Sequence, residues 1–210
     1  MGDCCNDKAC EIEALRGRQS ATLKAVLGIN AVMFAVELGA GLIAGSLSLL
    51  ADSLDMLGDA LVYAFSLYVV ARGARMKAIA ALFKGGIMAA FGCFVLGQAI
   101  YRFYYPVVPA FETIGAIGLL ALAANSLCLG LLWKHRAEDI NMSSVWLCSR
   151  NDIIANVSVL FAALGVWLTG SGWPDIVVGV ALAALFLRSA LSVCQGALSQ
   201  LGSANGREAG

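Results

Sequence analysis

The stretch of this chain richest in chemistry reads Leu49-Leu50-Ala51-Asp52-Ser53-Leu54-Asp55-Met56-Leu57-Gly58-Asp59-Ala60. Asp52, Asp55 and Asp59 fall at i, i+3 and i+7, which puts all three on one stripe of a helix. The run around them is apolar. Charges inside hydrocarbon cost about 2.5–3.5 kcal/mol each on insertion scales, and they mark functional sites. Like charges in one dry stripe also repel, so something must neutralise them: a divalent cation while it is bound, protons when it leaves. The bland alternative is a packing stripe salt-bridged to Lys84 or Arg150. Two basic residues near helix ends can snorkel outward, and they are too few for three carboxylates. Asp52 lies close to the outer end of its helix, where solvation would account for it. Asp55 and Asp59 therefore head the site.

A matching stripe stands further along. Cys148, Asp152 and Asn156 are spaced i, i+4 and i+8, again on one helix face, and offer a thiol, a carboxylate and an amide. If the two helices run antiparallel, Asp59 is expected near Cys148 and Asp55 near Asp152. Carboxylates with one thiolate suit zinc in tetrahedral geometry. The thiolate tilts selection away from magnesium, calcium and manganese, towards zinc, cadmium or a softer divalent ion.

These residues need helices to carry them, and the composition asks for helices in a bilayer. The chain has 210 residues, 60% hydrophobic and only 13% charged, about half the charge of an average soluble domain; the mean hydropathy is +0.82. The net charge of zero argues against a nucleic-acid partner. Six apolar stretches of roughly 20 residues or more, enough to cross about 30 Å of hydrocarbon, are expected near 22–44, 48–71, 78–101, 111–133, 142–169 and 174–198. The fold class is thus an all-α membrane protein, a six-transmembrane-helix bundle. Residues 1–21 form a Cys-containing N-terminal segment, 22–198 the transmembrane domain and 199–210 a short tail. Lys8, Arg16, Arg18, Lys24, Arg72, Arg75, Lys77, Lys134, Arg136 and Arg207 gather on one side, against Arg102 on the other. The positive-inside rule therefore places both termini in the cytoplasm and the chain in the plasma (inner) membrane.

At the level of Gly45-Ser-Leu-Ser-Leu-Leu-Ala-Asp-Ser-Leu-Asp-Met-Leu-Gly-Asp-Ala60 the sequence resembles the cation diffusion facilitator family of metal/proton antiporters. That family carries a Gly-Ser-Leu-Ala-Leu-Leu-Ala-Asp-Ala segment followed by His-x-x-x-Asp or Asp-x-x-x-Asp. Glu37, Asp139-Ile-Asn141 leading to Trp146-Leu147-Cys148, and Trp173-Pro174-Asp175 also look like family features. The resemblance implies a dimer with six helices per subunit that exports zinc-like ions from the cytoplasm against protons. It also implies a transport site of two residues from the second span and two from the fifth, which fall here on Asp55, Asp59, Cys148 and Asp152. The fifth-span pattern is His-x-x-x-Asp in the family and Cys-x-x-x-Asp here, a change that bears on metal preference. Family members commonly continue into a cytoplasmic metal-binding domain. Here Leu201 to Gly210 are small and polar, so dimerisation is expected to rest on the membrane helices.

Other residues have looser readings. Asp52, Asn156 and Glu37 stand around the four-residue set rather than in it. Glu37, Asn30 and Asn125 suit interhelical hydrogen bonds, with a proton relay as the sharper option for Glu37. Cys4, Cys5 and Cys10 beside Asp3, Asp7 and Glu11 suit capture of a soft metal before it enters. The seven cysteines are odd in number and scattered, which is no disulfide framework. A membrane thiol oxidoreductase would need a redox pair, and no C-x-x-C occurs; a metal-binding or sensing protein without transport is the nearer rival. The expectation is a transporter and not an enzyme, with no cofactor, whose partners are Zn2+ or Cd2+ as cargo, protons and the lipid membrane.

Overall fold

In hydrocarbon every backbone N–H and C=O must be satisfied within the chain, and a helix achieves this locally. The computed structural model describes the backbone of residues 3–68, 74–133 and 140–208. Side chains are described for 21–64, 79, 81–131 and 152–201, apart from 23, 62 and 200. Among these residues the chain forms six helices: α1 (Asp3–Ala44), α2 (Leu47–Tyr68), α3 (Ala74–Tyr104), α4 (Phe111–Trp133), α5 (Ile140–Thr169) and α6 (Trp173–Glu208). Each expected span falls on one helix. The ends differ most at the termini, where α1 already begins at Asp3 and α6 continues to Glu208. A helix that is already nucleated gains a hydrogen bond for each residue added, so polar flanks read as tails extend the spans. At 42 residues, α1 is about 63 Å long at 1.5 Å per residue, roughly twice the hydrocarbon thickness. The side chains of Cys4, Cys5 and Cys10 lie outside the described residues.

Among the described residues, five of the helices contain stretches long and apolar enough to cross a membrane. The exception is α2, and the reason is its three aspartates. It packs against α1, α3, α5 and α6, and Leu47 to Leu54 are all buried. Lipid-facing positions fall on its neighbours, which expose large apolar side chains such as Ile43, Phe83, Leu168 and Leu185. The acidic helix is therefore the one sheathed by others, where charge costs least. The chain is an all-α, multi-pass membrane protein.

The turn between α1 and α2 is fixed by a carboxylate from the far end of the sequence. Gly45 sits at φ +65°, and the Ser46 N–H reaches back to the Gly41 carbonyl at 2.9 Å, a helix stop that favours glycine in the left-handed position. Ser46 then caps α2, its hydroxyl accepting from the Leu49 N–H at 3.2 Å. Asp175, in the first turn of α6, accepts from the Leu47 N–H at 2.6 Å, the Ser48 N–H at 3.0 Å, the Ser46 hydroxyl at 2.7 Å and the Ser48 hydroxyl at 2.6 Å. Arg102 from the last turn of α3 lies 3.6 Å from the same carboxylate and donates to the Gly45 carbonyl. One buried anion thus ties together the ends of α1, α2, α3 and α6.

Removing that anion strands a buried guanidinium and four donors. Breaking a buried pair by deleting one partner costs about 3–5 kcal/mol. Asp175→Ala is expected to lower the thermal unfolding midpoint in detergent sharply, whereas a midpoint equal to that of the wild type would show that the clasp contributes nothing.

Candidate metal centre

Antiparallel packing of α2 and α5 decides which of the expected residues meet. Asp55 and Asp59 are one turn apart on α2, and Asp152 projects from α5. One carboxylate oxygen from each can be chosen so that all three lie within 4.8 Å of one another. Asp152 thus lies near both α2 aspartates and not near Asp55 alone. Carboxylates gathered in this way repel unless a proton or a cation lies between them.

These three line a cavity of about 460 Å³ between α2, α3, α5 and α6, together with Lys84, Met88, Ser158 and Phe186. Asp59 and Asp152 are buried, at 8% and 6% exposure, and Asp55 is partly open. Lys84 acts electrostatically on both Asp55 and Asp59, but one ammonium offsets only one of three carboxylates. Arg150, the other cation considered, has its side chain outside the described residues, as does Cys148. The backbone of α5 includes Cys148 one turn from Asp152.

Tyr63 is the residue that reasoning from the sequence missed. It lies one turn beyond Asp59 on α2, is 1% exposed, and its hydroxyl donates to Asp59 Oδ2 at 2.9 Å. The i, i+4 spacing was the signal available for it. Such outer partners orient a ligand and commonly tune metal affinity 10–100-fold. Behind it, buried Cys128 of α4 packs with Tyr63 and Val26 and accepts from Asn30 Nδ2 at 3.7 Å. That is the interhelical role expected of Asn30. Asn125 Nδ2 has no acceptor among the described residues.

Two expectations change, and a third residue is placed beside the site. Asp52, read as solvated near a helix end, is fully buried, because α2 is packed on by other helices from its first turn. Glu37, read as an interhelical hydrogen-bonding residue, is 0% exposed, and neither of its oxygens has a donor among the described residues. Asn156 spends its Nδ2 on the Asp152 carbonyl at 2.8 Å, leaving Oδ1 buried and without a partner among the described residues.

Comparison with known proteins identifies the family of the chain. Residues 23–201 match the cation efflux transmembrane domain. The metal cation efflux system protein CzcD of Cupriavidus metallidurans is 24% identical over 178 residues, which cover 78% of this chain and 56% of that protein. The zinc transporter ZitB of Escherichia coli is 28% identical over 188 residues, covering 83% and 60%. A Bacillus subtilis cadmium, cobalt and zinc/H(+)-K(+) antiporter is 26% identical over 188 residues, covering 81% and 60%. The chain thus spans between 56% and 60% of the length of these relatives. With the domain match running from the first span to the last, the chain belongs to the cation efflux family.

Proposed function

We propose that this protein exports a divalent heavy-metal cation from the cytoplasm across the inner membrane, in exchange for protons. Asp55, Asp59 and Asp152 hold the ion, with Cys148 completing the set from the preceding turn of α5. The observation that carries the reading is the set of three carboxylates whose oxygens gather within 4.8 Å on membrane-buried helices. Such a set is strongly anionic when empty and asks for either a metal or protons, which is the elementary requirement of an exchanger. Three oxygens and a thiolate form a tetrahedral shell that suits zinc, and cadmium by virtue of the sulfur. The relatives named for zinc, and for cadmium, cobalt and zinc, lie in the same range.

Alternating access follows from rigid packing on one side of the site and open volume on the other. The Asp175 clasp fixes four helix ends together, while the cavity at Asp55 and Asp59 leaves open volume between α2, α3, α5 and α6. Rocking of helices about the clasp would change which side reaches the ion, as in other transporters with a site near the midplane. The charge pattern of the loops supports a cytoplasmic position for both termini. Cys4, Cys5 and Cys10 at the start of α1 then collect soft metal on the entry side. A homodimer formed through the transmembrane helices completes the proposal.

Two variants test the site in proteoliposomes carrying a metal dye and a pH dye. Asp59→Ala is expected to abolish both zinc flux and metal-dependent proton flux; wild-type flux in that variant would sink the assignment. Tyr63→Phe, which deletes only the donor to Asp59, is expected to weaken zinc binding by roughly 10-fold with the fold intact. Unchanged affinity would mean that Tyr63 does not orient a ligand.

A further inference from the structure

The outward face of α6 carries a charge that no carboxylate among the described residues meets. Arg188 is exposed on that face, inside the apolar stretch Trp173–Ser199. Along the helix it lies about 20 Å from Asp175, at 1.5 Å per residue. Hydrocarbon is about 30 Å thick, so with Asp175 near one boundary Arg188 stands about 10 Å inside the other. Leu185 and Leu191, on either side of it, are 61% and 58% exposed, so the rest of the bundle leaves this face uncovered. Arg102, the other arginine of these spans with a described side chain, has Asp175 beside it. An arginine at such a depth is costly unless an anion or water reaches it.

The surface around Arg188 is a groove and not the plain flank of a helix. Leu96 of α3 and Leu187, Arg188, Leu191, Ser192 and Gln195 of α6 line a volume of about 590 Å³. Its polar members, Arg188, Ser192 and Gln195, fall at i, i+4 and i+7, one helical stripe. That stripe runs from the depth of Arg188 towards the C-terminal end of α6. Beneath it α3 and α6 are in close contact. A Cβ on Gly92 would lie 2.7 Å from Leu187 Cγ, and one on Gly85 3.2 Å from the Ala190 carbonyl. Glycine lets the two backbones meet there, which fixes the wall of the groove.

We propose that this groove binds an anionic phospholipid of the leaflet at the C-terminal end of α6. The Arg188 guanidinium pairs with the phosphate through two parallel N–H···O bonds. Ser192 and Gln195 donate to the remaining headgroup oxygens, and Leu96, Leu187 and Leu191 lie against the acyl chain. Basic pockets between spans are recognised sites for such headgroups. A zwitterionic lipid brings its own cation, so the net-negative one is favoured. Charge also argues against a second copy of the chain as the occupant. A two-fold axis along the membrane normal joins faces at equal depth, and two copies meeting here would set Arg188 against Arg188. Among the described residues the exposed acidic side chain is Glu112. It lies in the first turn of α4, at the end of the bundle where the Ala110 N–H meets the Ala44 carbonyl, away from Arg188. The same stretch of α6 lines the metal-centre cavity through Leu182, Phe186 and Ser189, so the lipid would sit against a wall of that cavity.

Native mass spectrometry tests this on the full chain released from nanodiscs holding equal amounts of phosphatidylglycerol and phosphatidylcholine. The wild type is expected to retain phosphatidylglycerol about 5-fold over phosphatidylcholine, the effect of one basic group at a membrane surface. Arg188→Gln should bring the ratio close to one, and Arg188→Lys, which keeps the charge, should preserve a preference. No preference in the wild type would overturn the proposal without any variant having to fold. A preference unchanged in Arg188→Gln would overturn it as well. Added glycerol 3-phosphate should leave the bound lipid in place; displacement would make this a site for a free phosphate ester and contradict the lipid assignment. If Arg188→Gln instead turned a dimer into monomers with its lipid retained, the face would be a contact between copies and the proposal would fall.

Discussion

The constraint on which this structure turns is the cost of holding several carboxylates together away from water. Asp55, Asp59 and Asp152 bring their oxygens within 4.8 Å of one another, an arrangement that is repulsive unless a cation or protons lie between them. The architecture answers to that cost. α2, which bears the charge, packs against four other helices and presents little of itself to lipid. Lys84 lowers the charge of the cavity without cancelling it. Tyr63 adds a hydroxyl donor to Asp59, a modest stabilisation that keeps the carboxylate aimed. What remains uncompensated is the charge that the proposed divalent cargo would supply.

A second anion plays the opposite part. Asp175 is saturated, taking hydrogen bonds from two backbone N–H groups and two serine hydroxyls beside the Arg102 guanidinium. Both carboxylate sites are buried, yet one is engaged by five groups of the protein at helix ends and the other lines a cavity. The proposed roles follow that difference: the first locks helix ends in place, and the second would exchange its partner. Glu37 and Asp52 are also unsaturated, but they lie where the helices pack closely and leave the metal no full ligand set.

Much of the site was legible in the chain because helical periodicity is local. Asp52, Asp55 and Asp59 were bound to share a stripe, and an antiparallel fifth span was bound to bring Asp152 near them. Five of the six helices followed from apolar length, and α2 from the apolar residues flanking its three aspartates. What period cannot give is the rotation of one helix against its neighbour. Asp52 read as solvated because it lies five residues from the start of α2. It is buried because other helices pack around that start, among them α6, whose Asp175 reaches Ser46, Leu47 and Ser48 from almost 130 positions away. Asp175 carried no sign of its role, since its partners at Ser46, Leu47 and Ser48 are set by tertiary packing. Glu37 was expected to find a hydrogen bond, but the helices facing it bring carboxylates. Cys148 was singled out by its spacing from Asp152, and its side chain lies outside the described residues.

The central claim is that a divalent metal binds on the carboxylates of α2 and α5. X-ray absorption on the zinc-loaded, purified protein tests it most directly, because Zn–O and Zn–S distances differ. The account predicts one zinc per chain with an oxygen-dominated shell near 2.0–2.2 Å and a single sulfur near 2.3 Å. The oxygen shell should be lost in Asp55→Ala/Asp59→Ala. A sulfur-dominated shell, or one unchanged in that variant, would place the metal elsewhere and contradict the account.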